Sequence, residues 1–418
     1  MKFNTKKLAA LLSGVMLVGV MLAGCSGSSP TASAGNTGKF HMDVFYYNYA
    51  DAYISTVRDA MNTRLDALGI NYTNYDGKAD QATQTNDINT ALTKGTNLLV
   101  VNIVDNASPD AANAIVTAAA AKGVPVVFFN REPSKADVFA TAGAANADKA
   151  AFVGTNYVQA GYLEGQMIAN YLLDPANVNG GKSKFDVNGD GKINYVMFRG
   201  QMDNNEAIAR TLYSVLTANI MLKAAGAAYS LAPSDLNVTS NDTNTSTPPS
   251  GWDYNFNGVS MAIADAITQN SFNPLAFYSV DKDSSWSSAN ANTMLQTMFS
   301  TDGGAFTDGK IEIIICNNDD MAMGAISFLN TQSYNTGDAS KYIPVFGVDA
   351  TATARAKITG GNMTGSIEQS NVAMAQMVIT VAMNAASKAK LCDIGTIPMG
   401  VDGANNNMLR IPYGIVTK

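Results

Sequence analysis

The sequence predicts an α/β fold of two doubly wound parallel-sheet units, on two observations. Short, continuous apolar runs alternate with longer helical patterns, and the alternation starts again midway along the chain. The 418 residues suffice for two or three domains, and a composition of 46% apolar and 15% charged residues is that of a packed globular protein.

The elements follow in order. HMDVFYYNY is a strand, and DAYISTVRDAMNTRLDALG is helix-like up to Gly69. NYTNYDG, the helix over DQATQTNDINTALTKG and the buried-strand run NLLVVNIV come next. PDAANAIVTAAAAKG opens on proline and closes on glycine, as a helix should, and PVVFFN is the following strand. The rhythm returns in INYVMFRG, EAIARTLYSVLTANIMLKAAG, LAFYSV, a helix from Ser287, IEIIICNN, MAMGAISFLN, YIPVFGVDA and TATARAKITGG. Doubly wound sheets bind ligands at the carboxyl ends of their strands, so the functional side chains are expected there.

Charge and composition exclude several functions. The net charge is -7, and the first 24 residues hold Lys2, Lys6 and Lys7 with no acid, so the body is more acidic still. No nucleic-acid partner is expected for such a surface. His41 is the sole histidine, which excludes zinc sites built on several histidines and leaves one residue for any catalytic triad. Three cysteines, Cys25, Cys316 and Cys392, cannot form a disulfide framework, and Cys316 reads as a small buried hydrophobe.

Residues 1–24 have a basic start and an apolar stretch too short to span a membrane, the pattern of a secretory signal. Leu22-Ala23-Gly24-Cys25 resembles a lipobox, the bacterial lipoprotein signal, which implies lipid attachment at Cys25. Residues 25–39 are small and polar, as a flexible tether should be. The expected location is extracytoplasmic, lipid-anchored at the outer face of the cell membrane. One stretch breaks the α/β rhythm: no Lys or Arg lies between Lys223 and Lys282, and 234–250 is rich in Ser, Thr, Asn, Asp and Pro. An inserted surface loop over about 229–272 is expected, with SGWDYNFNG exposing aromatics.

The body resembles the periplasmic glucose/galactose-binding proteins, the type I sugar-binding components of ABC transporters. The resemblance rests on YNYADAY (47–53), LLVVNIVD (98–105), VPVVFFNREPS (124–134), FVGTN (152–156), DVNGDGKIN (186–194), EAIARTLY (206–213), IEIIICNNDDMAMGA (311–325) and IPVFGVDA (343–350). It implies two lobes joined by a three-strand hinge that close on a sugar: 40–153 with 369–405, and 154–368 with 406–418. It also implies a monomer that delivers its ligand to an ABC permease in the cytoplasmic membrane, or signals to a chemoreceptor or sensor kinase.

A monosaccharide needs many oriented hydrogen-bond partners and aromatic faces for its ring. At strand ends and helix starts the chain offers Asp51, Tyr53, Asn102, Asn204, Glu206, Arg210, Trp286, Asn318, Asp349 and Gln369. The resemblance makes Asp51, Asn102, Arg210, Asn318 and Asp349 polar sugar ligands, and Tyr53 and Trp286 the stacking aromatics. It departs from the family where Asn204 and Glu206 stand for a His and an Asp, where Gln369 stands for an Asn, and where Tyr53 replaces the usual Phe. D-glucose or D-galactose is the expected ligand, with a pentose or other small polar ligand as the alternative. A glycosidase would need an isolated carboxylate pair, whereas these carboxylates are interleaved with Asn, Arg and aromatics; no catalytic residue is expected.

DVNGDGKIN places Asp186, Asn188 and Asp190 at positions 1, 3 and 5 of an EF-hand-like loop, with Gly191 at 6, Lys192 (by its carbonyl) at 7 and Asn194 at 9. Position 12 is Met197, and the resemblance supplies Glu312 in its place. A structural Ca2+ is expected there, since hard oxygen donors exclude soft metals.

Overall fold

The computed structural model describes residues 40–133, 149–237, 247–280, 285–387, 391–392, 400–401 and 407–418. The signal, Cys25, the tether and 238–246 of the insertion lie outside the described residues.

The first lobe runs β1 (His41–Tyr46), α1 (Ala52–Leu68), β2 (Asn71–Asp76), α2 (Gln81–Lys94), β3 (Leu98–Val101), α3 (Pro109–Ala121), β4 (Val126–Phe129) and β5 (Ala150–Thr155). The chain then crosses into the second lobe through α4 (Tyr157–Leu173). A small ribbon of β6 (Val178–Asn179) and β7 (Lys182–Ser183) precedes β8 (Lys192–Phe198), α5 (Asn205–Ala224) and β9 (Ser230–Pro233). A hairpin of β10 (Asp253–Phe256) and β11 (Val259–Ala262) follows, then α6 (Ile263–Asn270) and α7 (Ser288–Thr301). The lobe continues with β12 (Ile313–Cys316), α8 (Asp319–Thr331), β13 (Val345–Asp349), α9 (Ala352–Thr359) and β14 (Gly365–Glu368). The chain ends with α10 (Asn371–Ala386), β15 (Gly400–Val401), β16 (Met408–Ile411) and β17 (Gly414–Thr417).

Local signals explain the helices. Ser108 caps α3 through the amide of Ala111, with Pro109 in the first turn, and Gly69 ends α1 in the left-handed conformation at φ 63.

The two sheets have the orders β15-β16-β5-β4-β3-β1-β2 and β17-β14-β13-β12-β8-β9. Each is parallel apart from one antiparallel edge pair, β15 with β16 and β14 with β17. Successive strand residues feed opposite faces. Val100, Val127 and Val153 pack with α1 and α10, whereas Leu99, Val101, Phe128 and Phe152 pack with α2 and α3. Burial on both faces is the reason these strands read as unbroken apolar runs.

The chain passes between lobes three times: after β5, after β14 and between β16 and β17. The third crossing differs from the sequence reading. β16 lies beside β5 in the first sheet, so the chain changes lobes between Ile411 and Gly414 and not at 406.

The second lobe differs from expectation at two more places. LAFYSV forms a 3-10 turn at Pro274–Ala276 and a single bridge from Ser279 to Phe198, not a strand. β9 already pairs with β8 over Lys192–Tyr195, and β12 covers its other edge. The insertion begins with a sheet strand, β9, and its aromatics are packed, not exposed. Tyr254 is buried; Trp252 stacks on Tyr157 and Tyr213 at 5.6 and 5.8 Å, and Phe256 on Tyr162 at 5.0 Å. This cluster covers α4 and α5. Those helices meet closely at Gly165, where a Cβ would stand 2.4 Å from the carbonyl oxygen of Ser214.

Cys316 is buried in the second lobe and Cys392 packs against the core of the first, and both thiols are free. Among the described residues no helix is long and apolar enough to cross a membrane.

Candidate functional site

The carboxyl ends of both sheets face one cleft of about 50 Å3, several times what one water needs. Nine of the ten expected residues line it: Asp51, Tyr53, Asn204, Glu206, Arg210, Trp286, Asn318, Asp349 and Gln369.

Each is placed by a strand end or a helix start. Asp51 caps α1, accepting from the amide of Ile54 at 2.7 Å, while its other oxygen accepts from the Tyr47 hydroxyl at 2.5 Å. Asn204 and Asn318 cap α5 and α8 through the amides of Ala207 and Met321, both at 3.0 Å. One turn along α5, Arg210 donates to the carbonyl of Asn317 at 2.8 Å, to Tyr413 at 3.3 Å and to Gln369 at 3.4 Å. Its guanidinium lies 5.8 Å from the Trp286 ring. That ring sits against Gly200, where a Cβ would be 2.4 Å from the indole, so a larger residue there would displace it.

Asn102, the tenth residue, does not line the cleft. Its side chain is spent on protein partners, accepting from the Tyr47 amide at 3.1 Å and donating to Phe129 O and Asn130 Oδ1, both at 3.2 Å. It anchors two residues that do line the cleft, Tyr47 and Asn130, which the sequence reading missed along with Ile54 and Arg131. The missed polar residues sit just past β1 and β4, so the strand-end rule, applied to every strand, finds them.

The cleft is strained and electrostatically unusual. Asn130, Trp286 and Asp349 have φ values of 59, 58 and 117, conformations that side-chain-bearing residues adopt rarely and mostly at functional sites. Burial pushes Asp349 well above the usual carboxylate range, against the pull of Arg210. Burial also raises Glu206, opposed by Arg131 and Arg210. Burial disfavours the Arg210 charge, yet Tyr413 and Asp349 hold its pKa above the ordinary arginine value. Tyr53 Oη, Glu206 Oε2 and Arg210 Nε are buried without a hydrogen-bond partner. Such atoms are open to a further hydrogen-bond partner, a ligand or a water.

The cleft belongs to a known architecture. A family model described as a periplasmic binding protein domain matches residues 42–390. The chain belongs to this periplasmic binding protein family. Within it, the chain is 27% identical over 391 residues to the D-galactose/methyl-galactoside binding periplasmic protein MglB of Haemophilus influenzae, spanning 93% of this chain and 92% of that protein. A Bacillus halodurans ABC transporter solute binding protein with bound myo-inositol shares the fold at TM-score 0.59 and 18% identity, covering 92% of this chain and 96% of that one. An Actinobacillus succinogenes ABC transporter periplasmic solute binding protein with bound D-allose does so at TM-score 0.59 and 15% identity, covering 91% and 98%.

The loop expected to hold a metal lies elsewhere in the second lobe of this binding protein. Asp186 Oδ2 accepts from the Gly191 amide at 3.0 Å, and its Oδ1 is buried with no hydrogen-bond partner. Asn188 and Asp190 accept from the amides of Asp190 and Lys192 at 3.0 and 2.8 Å. Glu312 does reach this loop from β12's approach: its two oxygens accept from the Val187 and Asn194 amides, both at 2.6 Å. Asn194 donates to the Gly309 carbonyl at 2.6 Å. Burial and the Asp186 and Asp190 charges push Glu312 up to about 7, against its two amide bonds. Among the described residues no three His, Cys, Asp or Glu side chains are grouped closely enough to hold a metal by themselves.

Proposed function

We propose that this chain captures a monosaccharide, D-galactose or D-glucose, outside the cytoplasm and hands it to an ABC permease, without chemical change to the sugar. The observation that carries this reading is the convergence of nine expected residues from both lobes on one cleft that holds three unpartnered polar atoms. The carboxyl oxygens of Asp51 and Asp349 can accept from sugar hydroxyls, and Arg210, a charged donor, supplies the stronger hydrogen bonds. Ligand contact from both lobes would favour the closed arrangement, because only that form touches the sugar on two sides. The galactose-binding relative supports a hexose.

Lipid anchoring at Cys25 belongs to the same proposal, as does a structural Ca2+ held by Asp186, Asn188, Asp190, the Lys192 carbonyl, Asn194 and Glu312. The free Asp186 Oδ1 and the uniformly hard oxygen donors fit that cation. It would supply positive charge to a loop of acids.

A thermal-shift panel on residues 26–418 tests the sugar reading with glucose, galactose, xylose, arabinose, ribose, myo-inositol and a disaccharide. A ligand at 100 times its dissociation constant stabilises by about 2.7 kcal/mol. A rise with one or two hexoses is expected. A rise with a pentose or with inositol alone would replace the hexose, and no rise with any of them would overturn the sugar reading.

A further inference from the structure

The turn that delivers Asp349 to the cleft is held in a conformation that its own sequence disfavours. Asp349 and Ala350 both have positive φ, 117 and 48, and neither is glycine. Such strain persists only where surrounding groups impose it.

The groups that impose it converge on one buried acid. Asp319 Oδ2 accepts from the Thr351 amide at 2.7 Å, and Asp319 Oδ1 accepts from the Ser366 hydroxyl at 2.6 Å. Ser366 Oγ in turn accepts from the Ala350 amide at 2.9 Å. Independently of that acid, Arg355 Nε donates to the Ala350 carbonyl at 2.9 Å. Asp319 is 1% exposed and directly follows Asn318, the cleft residue that caps α8. It also sits against Gly347, where a Cβ would stand 2.7 Å from its Oδ1. Burial pushes this acid up to about 6 despite the bonds from Ser366 and Thr351, and Asp349 is a second acid beside it. A carboxylate kept in so costly a place needs a use, and its partners show one.

We propose that Asp319, acting with Ser366, is a positioning residue that locks the strained Asp349–Thr351 turn and so joins two cleft strand ends, Asn318 and Asp349, into one rigid unit. This rests on the sugar-binding reading of the cleft. Asp319 touches no ligand. It acts by fixing where the Asp349 carboxylate points.

Hydrogen exchange on the ligand-free protein tests the lock without any sugar. Asp319→Asn keeps the shape but leaves only one oxygen to accept, and exchange over 347–353 should quicken at least tenfold while other segments hold. Unchanged exchange there would overturn the lock. Should Asp319→Asn not fold, Ser366→Ala removes the Ala350 acceptor and serves instead. A double-mutant cycle then separates positioning from general support. Asp319→Asn should weaken sugar binding tenfold or more, and by less than twofold when Asp349 is already Ala. Losses that multiply in the double variant would overturn the positioning role. Should the wild type bind none of the sugars, the proposed function fails, and exchange alone decides the lock.

Discussion

Arg131, just past β4 in the first lobe, donates a 2.8 Å hydrogen bond to Gln201 Oε1, just past β8 in the second. The same guanidinium nitrogen donates to the Val104 carbonyl at 2.9 Å, and the group stacks 4.3 Å over the Tyr47 ring. Arg131 is therefore held by its own lobe, and the bond to Gln201 bridges the cleft.

Removal of that bridge should be felt in ligand affinity more than in folding. A hydrogen bond to a charged donor contributes about 1.5–3 kcal/mol. Gln201→Ala is expected to weaken sugar binding about tenfold in a calorimetric titration, with the ligand-free melting temperature nearly unmoved. Equal affinity in the variant would show that the bridge does not favour the closed arrangement.

Trp286 lines the cleft on a left-handed backbone, with its indole in the space that Gly200 leaves. Truncating an aromatic anchor costs about 2–4 kcal/mol of binding. Trp286→Ala should cost about a hundredfold in affinity and leave the melting temperature within a few degrees of wild type. Full affinity in this variant would remove Trp286 from the ligand contacts.

The calcium proposal is checked by chelation. EDTA should lower the melting temperature of the wild type by several degrees, since an ion bound only to the native state stabilises it. Asp190→Ala should start at that lower temperature, ignore EDTA and keep its sugar preference. A wild-type melting curve indifferent to EDTA and to added calcium would end the metal proposal.

Glu164 on α4 is fully buried and neither carboxyl oxygen has a hydrogen-bond partner. Burial lifts it well above the ordinary value of 4.5, and Arg210 pulls the other way. Because the folded pKa is the raised one, the unfolded chain loses its proton first. Glu164 then contributes stability below pH 4.5 that drains away as pH climbs toward the folded pKa. Glu164→Gln should melt at least about 3 °C above wild type at pH 8, with the gap closing near pH 4. A constant gap across that range would mean that the carboxyl does not titrate on unfolding.

How much was legible in the sequence varies by element. β3, LLVV, and β12, IIIC, were readable because strands covered on both faces are built almost wholly of apolar residues. LAFYSV is as apolar but formed no strand: β9 takes that edge of β8 over Lys192–Tyr195, and beyond it Ser279 alone bridges to Phe198. β16 joins the first lobe against expectation for a related reason: MLRI would suit either sheet, and only pairing with β5 decides between them. The aromatics of the insertion looked exposed among polar neighbours, yet their partners, Tyr157, Tyr162 and Tyr213, lie on helices that begin far earlier in the chain.

The candidate site shows the same division. Residue chemistry at strand ends marked Asp51, Glu206, Arg210 and Asp349 without any coordinates, since a polar side chain after a buried strand emerges where doubly wound sheets bind ligands. Asn102 met the same criterion, but its donors and acceptor are consumed by Tyr47, Phe129 and Asn130, at the ends of the neighbouring strands β1 and β4.

What the sequence determined by itself, then, is which segments are strands covered on both faces and which polar residues leave their ends, because both follow from local composition and spacing. Only the tertiary structure decided which of those residues share a cleft and which are spent as supports. It also decided that Arg131 bridges the lobes and that Asp319 holds a turn 30 residues away, at Asp349. Those outcomes depend on the register and approach of chain segments remote in sequence, and no local pattern encodes them.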